Sequence, residues 1–407
     1  MTHPRPLSLS LRRAAALAGV LGALAACGPT DQPSPVETPL TGTPPGNETT
    51  VVLPPMDPPP VDKPGSLPVD PEDGEEPVVI GPTEPGEPVD PEKPAVEPLL
   101  ALDACKTGIL SQFRESTALM TARGSGAYKV PSNAQLATLK RSFDAFLKGD
   151  AAAAKSNAAA VGYTLCRGTG AEATLAFWQP PSMQGQAMVA LRTGPARPVI
   201  LETPHPFYDG GTVEEGAIVF RRTQARALIS AGTHRCANAE SAGCDGTTNA
   251  CGNGLPYKIS DMAHTAQSAF QVAHVALSEH FGDDWVLQLH GMAAAGASIS
   301  DGTTLPTTSV SPSARVAQGL AKAFSGVTTC NAFGSFPKRN HMCGTSSTQG
   351  RHLNGSPEVC RTGVNETSGR FIHMEQSSAL RGAPEKVAEA LAGVLPEAAP
   401  AVAQEQP

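Results

Sequence analysis

The 407-residue sequence is poor in aromatic side chains, which make up 4% of it, so any core must rest on Ala, Val, Leu and Ile. Nowhere does it cluster basic residues with aromatics, which argues against nucleic-acid binding. It has no Cys-x-x-Cys pair, so a structural zinc knuckle is not expected. It has no Gly-x-Ser-x-Gly elbow either: Gly296-Ala297-Ser298-Ile299-Ser300 lacks the second Gly, which disfavours a serine hydrolase. Asp283-Asp284 sits in no loop of regularly spaced oxygen ligands, which disfavours a calcium loop. The apolar run Ala14 to Ala23 is too short to cross a membrane.

The formal charge is -8, and it is unevenly spread. Residues 28–98 carry fifteen acidic and two basic residues and more than half of the 39 prolines. Pro68 to Glu72 and Pro88 to Glu92 repeat one phrase, Pro-Val-Asp-Pro-Glu. Proline cannot donate to a ladder and the carboxylates repel, so this stretch is expected to be an extended, disordered tether. Ahead of it, Arg12-Arg13, the apolar run and Leu24-Ala25-Ala26-Cys27-Gly28 resemble a bacterial lipoprotein signal with its lipobox. That resemblance implies cleavage after residue 26, lipid on Cys27, and an exported chain anchored to the outer membrane or cell surface. The expected layout is signal 1–26, lipidated Cys and linker 27–98, folded domain 99–395 and a frayed tail 396–407.

Within the domain, periodicity predicts helices at Cys105–Leu119, Ser132–Leu147, Met262–Phe281, Ser311–Phe324 and Glu385–Leu395. Ser260 or Asp261 would cap the third of these. Strand-like runs lie at Ala173–Trp178, Ala187–Leu191, Val199–Leu201, Ala227–Ala231, Trp285–Leu289 and Phe371–Glu375. Strands alternating with helices indicate an α/β fold, one layered domain with a mixed β-sheet flanked by helices.

Eight cysteines remain besides Cys27: Cys105, Cys166, Cys236, Cys244, Cys251, Cys330, Cys343 and Cys360. An even number in an exported domain suggests disulfides. Preferring short or medium loops pairs Cys105–Cys166, Cys244–Cys251 and Cys330–Cys343, and leaves Cys236 with Cys360.

The chemistry concentrates between Pro198 and Cys236. A short apolar strand ends at Thr203-Pro204, and His205, Asp209 and Gly210-Gly211 follow, where an open α/β sheet places its functional groups. Thr212 and Glu215 have capping-box spacing for the next helix. The run Ala227 to Ala231 then brings Gly232-Thr233-His234-Arg235 toward the same rim. Nine of the ten histidines lie from His205 to His373. His205, His234, His290 and His373 sit at ends of separate predicted elements, whereas His341 and His352 fall in polar loops. Catalytic zinc takes three protein ligands, commonly two His and a carboxylate, and acidifies a water in its open position. A carboxylate outside the ligand set must accept that proton. Glu375 suits this task, because it shares a strand face with His373.

A His–carboxylate pair after a strand, a later strand ending in Leu289-His290-Gly291, and Glu375 on a late strand resemble the zinc carboxypeptidase-like superfamily. The similarity spans about residues 185–380 and leans toward the N-formylglutamate amidohydrolase and phage poly-γ-glutamate hydrolase families. It implies Zn2+ held by His205, Asp209 and His290, with Glu375 as base. It implies a substrate carboxylate or carbonyl met by Arg235 with Asn238, or by Arg351 with Asn354, and places His234 on the substrate side. The superfamily's His-x-x-Glu spacing is absent, so Glu214 and Glu215 remain alternatives to Asp209. The expected activity is hydrolysis of an amide bond in a peptide or N-acyl amino acid, with polyglutamate and cell-wall peptide as candidate substrates. The rival expectation is a non-catalytic surface lipoprotein that binds a ligand or partner.

Overall fold

A computed structural model of the chain describes residues 97–182 and 184–398. The signal, the lipidated Cys27 and the tether up to residue 96 lie outside the described residues, as does most of the proposed tail.

The described residues form eleven strands: β1 (Thr164–Arg167), β2 (Leu175–Gln179), β3 (Met188–Arg192), β4 (Arg197–Thr203), β5 (Ala225–Ser230), β6 (Thr247–Thr248), β7 (Leu255–Pro256), β8 (Trp285–Gly291), β9 (Ala297–Ser300), β10 (Val327–Thr329) and β11 (Phe371–Gln376). Nine form one sheet in the order β1-β2-β3-β5-β4-β8-β11-β9-β10, and β6 pairs with β7 in a small hairpin. The central strands β5, β4, β8 and β11 run parallel, while antiparallel strands extend the sheet on both sides. The fold is α/β, a mixed sheet flanked by helices.

The alternation of side chains along each strand divides the interior into two cores. Leu201, Leu287, Leu289, Ile372 and Met374 pack on one face with the helices Thr212–Thr223, Pro312–Ala323 and Pro384–Ala392. Ile200, Val286 and Phe371 pack on the other with the helices Asn133–Leu147, Ala151–Ala160 and Ala269–His280. Ser132 caps the first of these through a complete capping box with Gln135, an arrangement worth about 1 kcal/mol.

That second face changes character along the strands. In register across β4, β8 and β11, the row Ile200–Val286–Phe371 is followed by Glu202–Gln288–His373, and then by His290 beside Glu375. Apolar side chains give way to polar ones toward the carboxyl ends. β4 connects onward to β5 on one side while β8 lies on its other side, so a topological switch point falls between β4 and β8, where open sheets place their sites.

Several elements differ from the sequence expectation. The long helix predicted from Met262 begins at Ala269, capped by Ser268. Asp261 is no cap: it is fully buried and bonded to His205, Arg235 and His264. His264 is therefore in a loop and off the helix. The first predicted helix shortens to Ile109–Glu115, followed by a 3-10 turn, because Cys105 is held in a bridge to Arg167. The capping box at Thr212 does not form. Gly211, at a left-handed φ of 93°, occupies the cap position and makes no side-chain bond, a conformation glycine adopts without strain. Glu215 is instead buried and accepts a hydrogen bond from Gln376 Nε2. Ala297–Ser300 reads as a loop in the sequence and is a strand. His290 lies within β8 and not beyond it.

Four disulfides form: Cys105–Cys166, Cys236–Cys251, Cys244–Cys360 and Cys330–Cys343. The expected pairs Cys244–Cys251 and Cys236–Cys360 are thus corrected. Cys244 lies beside Cys360, where Asp245 N donates to Cys360 O, while the β6–β7 hairpin folds Cys251 back toward Arg235 and Cys236. Loop-closure entropy changes by only about 0.6 kcal/mol per doubling of length, so the shortest loop holds little advantage.

Candidate metal centre

Each of the three residues expected to hold metal reaches the switch point from a different place in the chain. His205 follows β4, Asp209 lies one turn later, and His290 projects from β8. All are buried. Asp209 Oδ2 is 3.4 Å from His205 Nδ1 and 3.5 Å from His290 Nδ1. Ligand bonds of about 2.0–2.1 Å in a tetrahedral site place neighbouring donor atoms roughly 3.3 Å apart. His205 Nδ1 has no hydrogen-bond partner among the described residues.

The outer nitrogens of both rings are anchored. His205 Nε2 meets Asp261 Oδ1 at 2.7 Å, and His290 Nε2 meets Gln288 Oε1 at 2.9 Å. Partners of this kind fix ring orientation at metal sites. Asp261 is itself held by Arg235 through Nε and Nη2 at 2.9 and 2.6 Å. Burial acts to raise the Asp209 carboxyl, but the His205 and His290 imidazoles beside it hold it below the ordinary carboxylate range. Burial pushes His290 down to about 4, so its ring is neutral at pH 7. A deprotonated carboxylate and a neutral imidazole are the forms that bind a cation.

Two further clusters of potential ligands exist among the described residues. In His205–Asp261–His264 the acid already bonds both rings and faces the Arg235 guanidinium, so its charge is already compensated. The other is His290–His373–Glu375. Burial keeps the His373 ring well below its usual pKa. Burial, then the Asp209 charge, raises the Glu375 carboxyl well above its usual pKa. His373 Nε2 is 3.8 Å from Glu375 Oε1, and Glu375 Oε2 has no hydrogen-bond partner among the described residues. The Glu375 carboxyl thus lies next to the ligand cluster with an uncommitted oxygen.

The side expected to meet substrate is aromatic and cationic. Phe207 and Tyr208 are partly exposed and meet His234 edge-on, and Arg235 lies over the Tyr208 ring. His234 accepts a hydrogen bond from Cys236 N, and burial lowers its pKa to about 4. The other expected substrate groups are tied into the fold. Arg351 is paired with Asp245 and donates to Thr345 O and Val359 O. Asn354 donates to Asp301 O and accepts from Ser368. Asn238 Oδ1 closes a local turn to Glu240 N.

Neither alternative carboxylate ligand joins the cluster. Glu214 pairs with Arg114 at the surface. Glu215 is buried against Gln376, and burial raises it to about 7 from 4.5. The folded state therefore holds the Glu215 proton more tightly than the unfolded chain. The stabilisation is complete below about pH 4.5 and is lost as pH rises through about 7. Denaturant titration should show the parent losing roughly 2 to 3 kcal/mol relative to Glu215→Gln between pH 5 and pH 8. The variant should keep its metal content, and a metal-free variant would place Glu215 in the ligand set.

Sequence reasoning missed Asp261, His264, Glu202 and Gln288. Glu202 carried a legible signal, a charge directly after the apolar run Val199–Leu201 and before the strand ends. Gln288 carried another, two residues before His290 and therefore on the same strand face.

No family model matches the chain, and no curated protein shows significant similarity to it. Some solved structures align over part of it. A "putative carboxypeptidase" from Burkholderia mallei is 13% identical, with a TM-score of 0.29, over 57% of this chain and 62% of its own. A "putative metallopeptidase" from Shewanella amazonensis is 14% identical, with a TM-score of 0.26, over 63% of this chain and 95% of its own. A second "putative metallopeptidase", from Shewanella baltica, is 12% identical, with a TM-score of 0.26, over 58% of this chain and 85% of its own. At such scores the likeness decides nothing about activity.

Proposed function

We propose that the protein is a zinc-dependent hydrolase of amide bonds in peptides or N-acyl amino acids, with zinc held by His205, Asp209 and His290. The observation that carries this reading is the convergence of two anchored Nδ1 atoms on one Asp209 oxygen at 3.4 and 3.5 Å. Bound zinc would supply a water acidic enough to act near neutral pH and a Lewis acid for the carbonyl.

The chain's own groups supply the rest. Glu375 accepts the proton of the attacking water at its uncommitted Oε2 and returns it to the leaving nitrogen. Arg235 commits Nε and Nη2 to Asp261, and its remaining charge meets a substrate carboxylate or the carbonyl oxygen. Phe207, Tyr208 and His234 form the apolar side of the entrance. Export and anchoring through lipid on Cys27 belong to the same proposal. The Leu24–Gly28 pattern supports them, and so do four disulfides, which persist in oxidising compartments.

The test is a panel of peptides, N-acyl amino acids and γ-linked glutamate oligomers. Cleavage of at least one class, abolished by chelator and restored by zinc, is the expected result. Zinc uptake without cleavage across the panel would favour a ligand-binding surface lipoprotein.

A further inference from the structure

Beneath the candidate ligands lies a chain of fully buried polar side chains for which the proposed chemistry gives no reason. Glu202, Gln288, His274 and Gln349 have no solvent exposure. Burying such groups is costly unless each is paired. Here the pairing has a direction.

Gln288 sits between Glu202 and His290. Its Nε2 is 3.0 Å from Glu202 Oε2 and 3.1 Å from Gln349 Oε1, and its Oε1 is 2.9 Å from His290 Nε2 and 3.2 Å from Ser347 Oγ. A carboxylate only accepts, so the Gln288 group facing Glu202 must be the NH2. The second neighbour enforces the same choice. Gln349 gives its own NH2 to the Met262 carbonyl at 2.9 Å, which also only accepts. That leaves Gln349 Oε1 toward Gln288. Two independent acceptors thus turn the Gln288 carbonyl toward His290, where it can only accept. Glu202 is fixed in turn, because its other oxygen receives His274 Nδ1 at 2.7 Å.

We propose that Glu202, acting through Gln288, is a positioning device that places the single imidazole hydrogen of His290 on Nε2 and leaves Nδ1 bare toward Asp209. His205 Nε2 meets a carboxylate directly, that of Asp261. For His290 the carboxylate acts at one remove, so a neutral amide touches the ligand and the negative charge stays a residue further away. The consequence for metal rests on the zinc reading above. The tautomer does not, since the contact of Gln288 Oε1 with His290 Nε2 is set without any metal.

The experiment reads both. Long-range ¹H–¹⁵N spectra of the metal-free protein report which His290 nitrogen carries hydrogen, and competition with a chromogenic chelator gives the affinity for zinc alone. The parent should show the Nε2–H form. Gln288→Met, close in volume, should give a mixture of tautomers and bind zinc about 10- to 100-fold more weakly. Glu202→Gln, the same shape without the obligate acceptor, should shift both readings in the same direction by less. A parent with Nδ1–H overturns the proposal, and this needs no variant to fold. So do folded variants that keep both tautomer and affinity. If the parent takes up no zinc, yet its Nε2–H form is lost in Gln288→Met, the device stands and the zinc reading fails.

Discussion

Glu375→Gln should fold normally, retain zinc, and lose on the order of 10² to 10⁴ in turnover on its amide substrate. The expectation follows from where β11 places this side chain. Phe371, His373 and Glu375 share the face that carries Gln288 and His290, and Glu375 is in register with His290 on the neighbouring strand. Ile372 and Met374 pack into the opposite core. A buried carboxyl with an unpartnered oxygen is costly, and no Arg or Lys bonds it among the described residues. The proposed placement beside a bound cation and its water would give that cost a purpose. The amide keeps shape and hydrogen-bonding reach but cannot take a proton. Loss of metal in this variant would make Glu375 a ligand, through the His290–His373–Glu375 cluster. Full activity would remove it from the mechanism.

The parallel centre of the sheet was legible because its strands are apolar runs bounded by Pro, Gly and His. Val199–Leu201 and Trp285–Leu289 lie within β4 and β8. The antiparallel edges were less legible. Ala297–Ser300 alternates apolar and polar side chains over only four residues, three of them small, too short a run to stand out, and it becomes a strand because β11 and β10 offer their edges. The periodic pattern with Ser260 or Asp261 as cap extends the helix back over residues 262–268, but Asp261 has stronger partners in His205 and Arg235 than a helix terminus provides.

Within the candidate site, residues close in sequence to a strand end were visible and their supports were not. His205, Asp209, His290 and Glu375 each follow or occupy a strand with a clear pattern. Asp261 lies in a loop whose path depends on the tertiary fold, and Gln288 resembles any polar residue in a strand. Arg351 and Asn354 show the converse. Their residue types suit a substrate carboxylate, yet Asp245 and the backbone around Cys360 claim the arginine, and sequence spacing says nothing of that.

The central claim is that His205 and His290 hold one zinc ion with Asp209. Removing either imidazole removes one of three ligands from a site whose affinity depends on all of them. The ring that remains stays fixed by its own partner, Asp261 for His205 and Gln288 for His290. The most direct measurement is elemental analysis of the parent, His205→Ala and His290→Ala, purified without chelator and shown to be folded by near-UV circular dichroism. The account predicts close to one zinc per parent chain and less than about a tenth of that in either variant. Parent-level zinc in both folded variants would contradict it.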